Sequence, residues 1–114
     1  MEESVLITIK KLIGIADDDT SFDLDLTTHI NSAIFVLYQL GVARRNVIVS
    51  DESTTWDDVF INDGYYEAAK TYIYQKVRLW FDSDTLSGSA STALKESIAE
   101  MEWRLSISPE SFLD

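Results

Sequence analysis

Apolar residues return every three or four positions in four separate stretches of this chain, the period of a helix with one buried face. Val5, Ile9, Leu12 and Ile13 share one side of a segment from Ser4 to Ile13. Leu26, Ile30, Ala33, Ile34, Leu37 and Leu40 do the same from about Asp23 to Leu40. Tyr66, Ala69, Ile73, Val77 and Trp80, widened by Tyr72 and Phe81, form a third stripe from about Gly64 or Tyr65 to Phe81. Leu94, Ile98, Met101 and Leu105 form a fourth, narrower seam, and Pro109 is expected to limit its helix.

The punctuation between these stretches agrees with helices. One proline and four glycines are too few for the closely spaced turns of a sandwich or barrel. Gly14 and Gly41 fall where helical patterns stop, a place that favours positive φ. Thr54 and Thr55 before Trp56-Asp57-Asp58 predict an N-cap and a short helical turn to Phe60 or Ile61. Val47-Ile48-Val49 is β-branched and brief, and predicts a short strand or extended arm. Residues 82–91 are small and polar and are expected to form a loop. The expectation is an all-α fold in a single domain, 1–114. It is a small helical bundle of three longer helices plus a shorter one, with an arm at about 42–60 and a C-terminal tail at about 106–114.

Charge and composition narrow the function. Twenty acidic residues against nine basic ones give a net charge of −11, which disfavours nonspecific binding to nucleic acid phosphates. Six acids and no base lie between Asn46 and Ala69. The absence of cysteine excludes disulfides, thiolate zinc sites and cysteine nucleophiles. No apolar run approaches the length of a membrane span and no basic leader precedes one, so a soluble, unexported protein without membrane contact is expected.

Catalytic, metal and cofactor chemistry finds little support. Asp17, Asp18, Asp19, Ser21, Asp23 and Asp25 suggest a calcium loop, but Phe22 stands where that loop needs glycine and Thr28 where it needs a bidentate glutamate. His29 is the sole histidine, has no second soft ligand, and reads as a surface or partly buried side chain. No nucleophile elbow, zinc-protease helix or phosphate-cradling glycine loop is present. The reading is therefore a protein that is not an enzyme and takes no cofactor. Most aromatics of the third helix follow its apolar stripe and belong to a core. Tyr65 and Tyr74 fall outside it and are interface candidates.

A set of strings in fixed order carries a resemblance. Leu12-Ile13-Gly14-Ile15, Asp17-Asp18-Asp19, Phe22-Asp23, His29-Ile30-Asn31-Ser32-Ala33 and Gln39-Leu40-Gly41-Val42 are followed by Thr55-Trp56-Asp57-Asp58. Tyr72-Ile73-Tyr74, Lys76-Val77-Arg78-Leu79, Phe81-Asp82 and Glu102-Trp103-Arg104-Leu105 complete the series. Together they resemble the head-tail connector, or adaptor, proteins of tailed bacteriophages and prophages. The chain departs from that pattern after Asp82, where Ser83-Asp84-Thr85 replaces an expected proline-containing turn.

The resemblance implies a structural virion protein at the head-tail interface, assembled in the host cytoplasm. In that role it forms a homo-oligomeric ring of about a dozen subunits under the portal protein. It would extend the DNA channel, through which DNA passes without specific binding, and offer a platform to a head-completion (stopper) or tail protein. Under this reading the candidate contacts are Arg44, Arg45, Trp56 and Phe60 on the arm and Ile107, Phe112 and Leu113 on the tail. Asp57 and Asp58 are candidates for the acidic channel wall. The alternative from charge alone is a small acidic regulator or DNA mimic that occupies a basic protein surface.

Overall fold

A computed structural model describes residues 3–44, 47–60 and 63–113, and their side chains except at 63 and 108–113. The chain is mostly helical. In order it contains α1 (Val5–Ile13), α2 (Asp23–Gln39), the short α3 (Trp56–Val59), a 3-10 turn (Asp63–Tyr65), α4 (Tyr66–Phe81) and α5 (Gly88–Leu113).

Local chemistry sets most of the boundaries. Ser4 accepts from the Ile7 amide at 3.2 Å and starts α1, while Gly14, at φ +96°, ends it by donating to the carbonyls of Lys10 and Lys11. Gly41, at φ +87°, turns the chain out of α2, after which the Val42 amide returns to the Leu37 carbonyl at 3.0 Å. A capping box opens α3: the Asp58 carboxylate reaches back to the Thr55 amide at 2.9 Å.

Helix α4 holds the centre. It packs on α2, α5 and α1, whereas α2 and α5 pack chiefly on α4 rather than on each other. Ala69, Tyr72, Ile73 and Val77 of α4 meet Ile30, Ala33, Ile34 and Leu37 of α2, with Val5 and Ile9 of α1 and Ile98 and Leu105 of α5, in one core. The molecule measures 43 × 35 × 18 Å along its principal axes, and the shortest of these accommodates two helix layers at spacings of about 8–10 Å.

Three expectations change. The segment 82–91 is not loop throughout, because Ser87 accepts from the Ala90 amide at 3.1 Å and starts α5 at Gly88. Pro109 does not end that helix. Proline forfeits one bond, to the carbonyl four residues back, but its fixed φ is helical, and α5 runs on to Leu113. Residues 106–113 are thus the last turns of α5 rather than a separate tail.

The segment Val47-Ile48-Val49 lies in no helix and pairs with no strand among the described residues. Asn31 of α2 takes the place of a neighbouring strand. Its side-chain amide donates to the Val49 carbonyl at 2.9 Å and its oxygen accepts from the Val49 amide at 2.8 Å.

A candidate interaction surface

The arm folds back on the bundle, which decides the fate of its aromatic residues. The Arg44 amide donates to the Val59 carbonyl at 2.7 Å, and the Trp56 amide to the Glu3 carbonyl at 3.1 Å. The Trp56 indole N–H donates to Thr8 Oγ1 at 3.1 Å, so its one polar atom is satisfied inside. Its ring stacks on Phe60 at 5.6 Å and meets the edge of Tyr66 at 5.8 Å.

Trp56 is consequently fully buried, Phe60 nearly so, and Tyr65 is only 7% exposed. The expectation that these three are available contact residues is corrected: the arm has no outward apolar edge at 56 and 60, and the turn before α4 directs Tyr65 inward. Burial also pushes the Tyr65 hydroxyl above its ordinary pKa. Tyr74 is half-buried against the core. Arg44 and Ile107 are exposed, as are Asp57 and Asp58. Arg45 lies outside the described residues, as do the side chains of Phe112 and Leu113.

Other apolar side chains occupy the surface instead. On the outer face of α2, Phe35 is 57% exposed and Tyr38 lies one turn on, their ring centroids 6.3 Å apart. Ile48, 64% exposed, stands across from them on the arm. Together with Asn31, Arg44 and Val47 they line an open groove of about 310 Å³ between α2 and the arm. The second place is α5, where Trp103 is 63% exposed and Ile107 follows it one turn later.

Sequence reasoning passed over Phe35, Tyr38 and Trp103, although a signal was present. Phe35 and Tyr38 fall outside the stripe of Ile30, Ala33, Ile34 and Leu37, and Trp103 outside the seam of Ile98, Met101 and Leu105. Large apolar residues off the buried face are the ones to examine for contacts.

The acidic run is used for local structure. Asp19 accepts from the Ser21 amide at 3.0 Å, and this bond holds its carboxyl below the usual range. Asp23 pairs with Lys10 at 2.9 Å. Among the described residues no group of three or more His, Asp or Glu side chains assembles that could hold a metal ion. The His29 ring stacks on Trp80 at 4.1 Å and 26°, beside Lys76. Among the described residues no helix is long and apolar enough to cross a membrane.

The exposed apolar side chains thus include two faces of different make-up, alongside Leu12 of α1 and Phe22 and Leu24 at the start of α2; surfaces of this kind bind other proteins by burial of aromatic and aliphatic area. No curated protein and no solved structure matches the chain. A protein family does: the phage connector protein family matches residues 5–111, nearly the whole sequence and every helix described above but for the end of α5. On the strength of that match the chain belongs to the phage connector proteins.

Proposed function

We propose that this protein is a head-tail connector subunit, joined with copies of itself into a ring of about a dozen beneath the portal protein. The ring extends the DNA channel and presents a platform to the head-completion, stopper or tail protein that follows. It resides in the virion at the head-tail interface and assembles in the host cytoplasm. The observation that carries this reading is the pair of separate apolar faces, Phe35, Tyr38 and Ile48 on α2 and the arm, and Trp103 and Ile107 on α5. A closed ring of identical subunits is a heterologous assembly, so each subunit needs two different patches.

The charge fits passage of DNA without retention. A chain of net charge −11 with Asp57 and Asp58 exposed gives phosphates little counterion-release gain where those residues line a channel. The end of α5, with Phe112 and Leu113, is assigned to the portal.

The test is the mass of the full chain in solution, alone and mixed with its portal protein. A ring, or a portal-bound multimer, is the expected result. A chain ending at Ile107 should keep its fold and lose portal binding; retained binding removes the portal role of the C-terminal residues. A stable monomer that ignores the portal and binds a basic protein one-to-one would replace the connector reading with that of an acidic regulator.

A further inference from the structure

The two apolar faces have complementary chemistry. The groove between α2 and the arm is held open by the paired bonds from Asn31 to Val49, so it exists before any partner arrives. Phe35, Tyr38 and Ile48 supply its apolar walls and Arg44 its charge, and no carboxylate is among the described residues that line it. In a chain of net charge −11, a basic groove without an acid is a specific feature.

The outer side of α5 has the opposite character. Glu96, Glu100, Trp103 and Ile107 succeed one another at spacings of four, three and four. They lie two positions beyond Leu94, Ile98, Met101 and Leu105, hence about 200° round the helix from the seam that faces the core. All four are exposed. Such a stripe is what a helix presents when it lies in a groove on another protein. Glu100 already meets Arg104 at 2.8 Å, but that pair is exposed and offers little resistance to rearrangement.

We infer that the α5 stripe of one copy docks in the groove between α2 and the arm of the next copy. Trp103 and Ile107 seat against Phe35, Tyr38 and Ile48, and Arg44 meets the acidic half of the stripe. Both faces occur on every chain, differ from each other and are opposite in charge, so each copy accepts one neighbour and is accepted by another. Repetition of that heterologous contact closes into a ring when its rotation allows. The inference rests on the connector reading and adds the two surfaces that join subunits.

The chain has no cysteine, which makes site-directed cross-linking clean. Full-length I48C and I107C chains are mixed, alone and with the portal protein, and treated with a short bifunctional thiol reagent while the mass is followed. Cross-linked dimers containing one chain of each kind should dominate, and neither variant alone should give them. Trp103→Ala should weaken self-association by at least about tenfold. Arg44→Glu should abolish it, and a chain carrying E96R should restore mixed assemblies with R44E. Circular dichroism verifies that these surface variants stay folded. Assembly without cross-links between 48 and 107 overturns the pairing and leaves the connector reading in place. Portal binding that shields both cysteines without joining chains assigns the faces to the portal and also overturns it. Absence of any assembly, with or without portal, removes both readings.

Discussion

Lys10 of α1 and Asp23 at the start of α2 form a 2.9 Å ion pair in which the lysine is 1% exposed and the carboxylate 31%. The Lys10 ammonium also donates to the Asp17 carbonyl at 3.2 Å. One buried cation thus ties the connection between the helices to both of them. Asp23 therefore does more than complement the N-terminal end of the α2 dipole.

The two partners should respond unequally to substitution. Asp23→Ala leaves an ammonium buried without its carboxylate and should cost about 3 kcal/mol. Lys10→Met keeps an apolar stem of similar length in the same place and leaves a carboxylate that water reaches, so its cost should be smaller, about 1 kcal/mol. Urea denaturation of both variants measures this, and a larger loss for K10M would contradict the burial argument.

Asn31 should be the most sensitive polar position on α2. Asn31→Ala removes two hydrogen bonds and leaves the Val49 amide and carbonyl without a protein partner, at a cost of about 2 kcal/mol. Hydrogen exchange at the Val49 amide should speed up well beyond the change at amides in the middle of α4. Equal acceleration everywhere would mean that the arm has no separate stability.

The Tyr72 hydroxyl donates to the Glu102 carboxylate at 2.7 Å and joins α4 to α5. Burial first, then the hydrogen bond and the charge of Glu102, push its pKa well above the ordinary value of 10.0. Above pH 10 the unfolded chain releases a proton that the folded chain keeps. The contribution of Tyr72 is therefore complete below about pH 10 and declines as pH rises beyond it. Tyr72→Phe should cost about 1.5 kcal/mol at pH 7, and the gap between the two proteins should narrow in alkaline solution. Comparison with the variant separates Tyr72 from Tyr65, whose hydroxyl is also raised.

Asp57 and Asp58 are neighbours with different duties. The Asp58 carboxylate accepts from both the Thr55 amide and its hydroxyl, so Asp58→Lys should lose about 1 kcal/mol of cap stability together with its charge. Asp57→Lys alters charge with the cap intact. If Asp57 lines the channel, D57K should slow DNA ejection without lowering the melting temperature. Unchanged ejection from particles built with D57K would remove Asp57 from the channel wall.

Sequence alone determined where most helices run. A period of three to four residues, the glycines at 14 and 41 and the N-cap threonine before Trp56 act within a few residues of themselves, so they are legible without knowing what lies opposite. The loop before α5 was misjudged because Ser87 serves equally as a loop residue or an N-cap, and the helix through Pro109 because one missing amide does not dictate a stop.

Only the tertiary structure decided which side chains face outward. Trp56 and Phe60 are buried because the arm folds back across α1 and α4. Lys10 is buried with its ammonium met by the Asp17 carbonyl from the loop after α1 and by the Asp23 carboxylate of α2. Phe35 and Trp103 stay exposed because α2 and α5 spend their other faces on α4. Burial belongs to pairs of surfaces distant in sequence, and a local pattern identifies one member of a pair without naming the other.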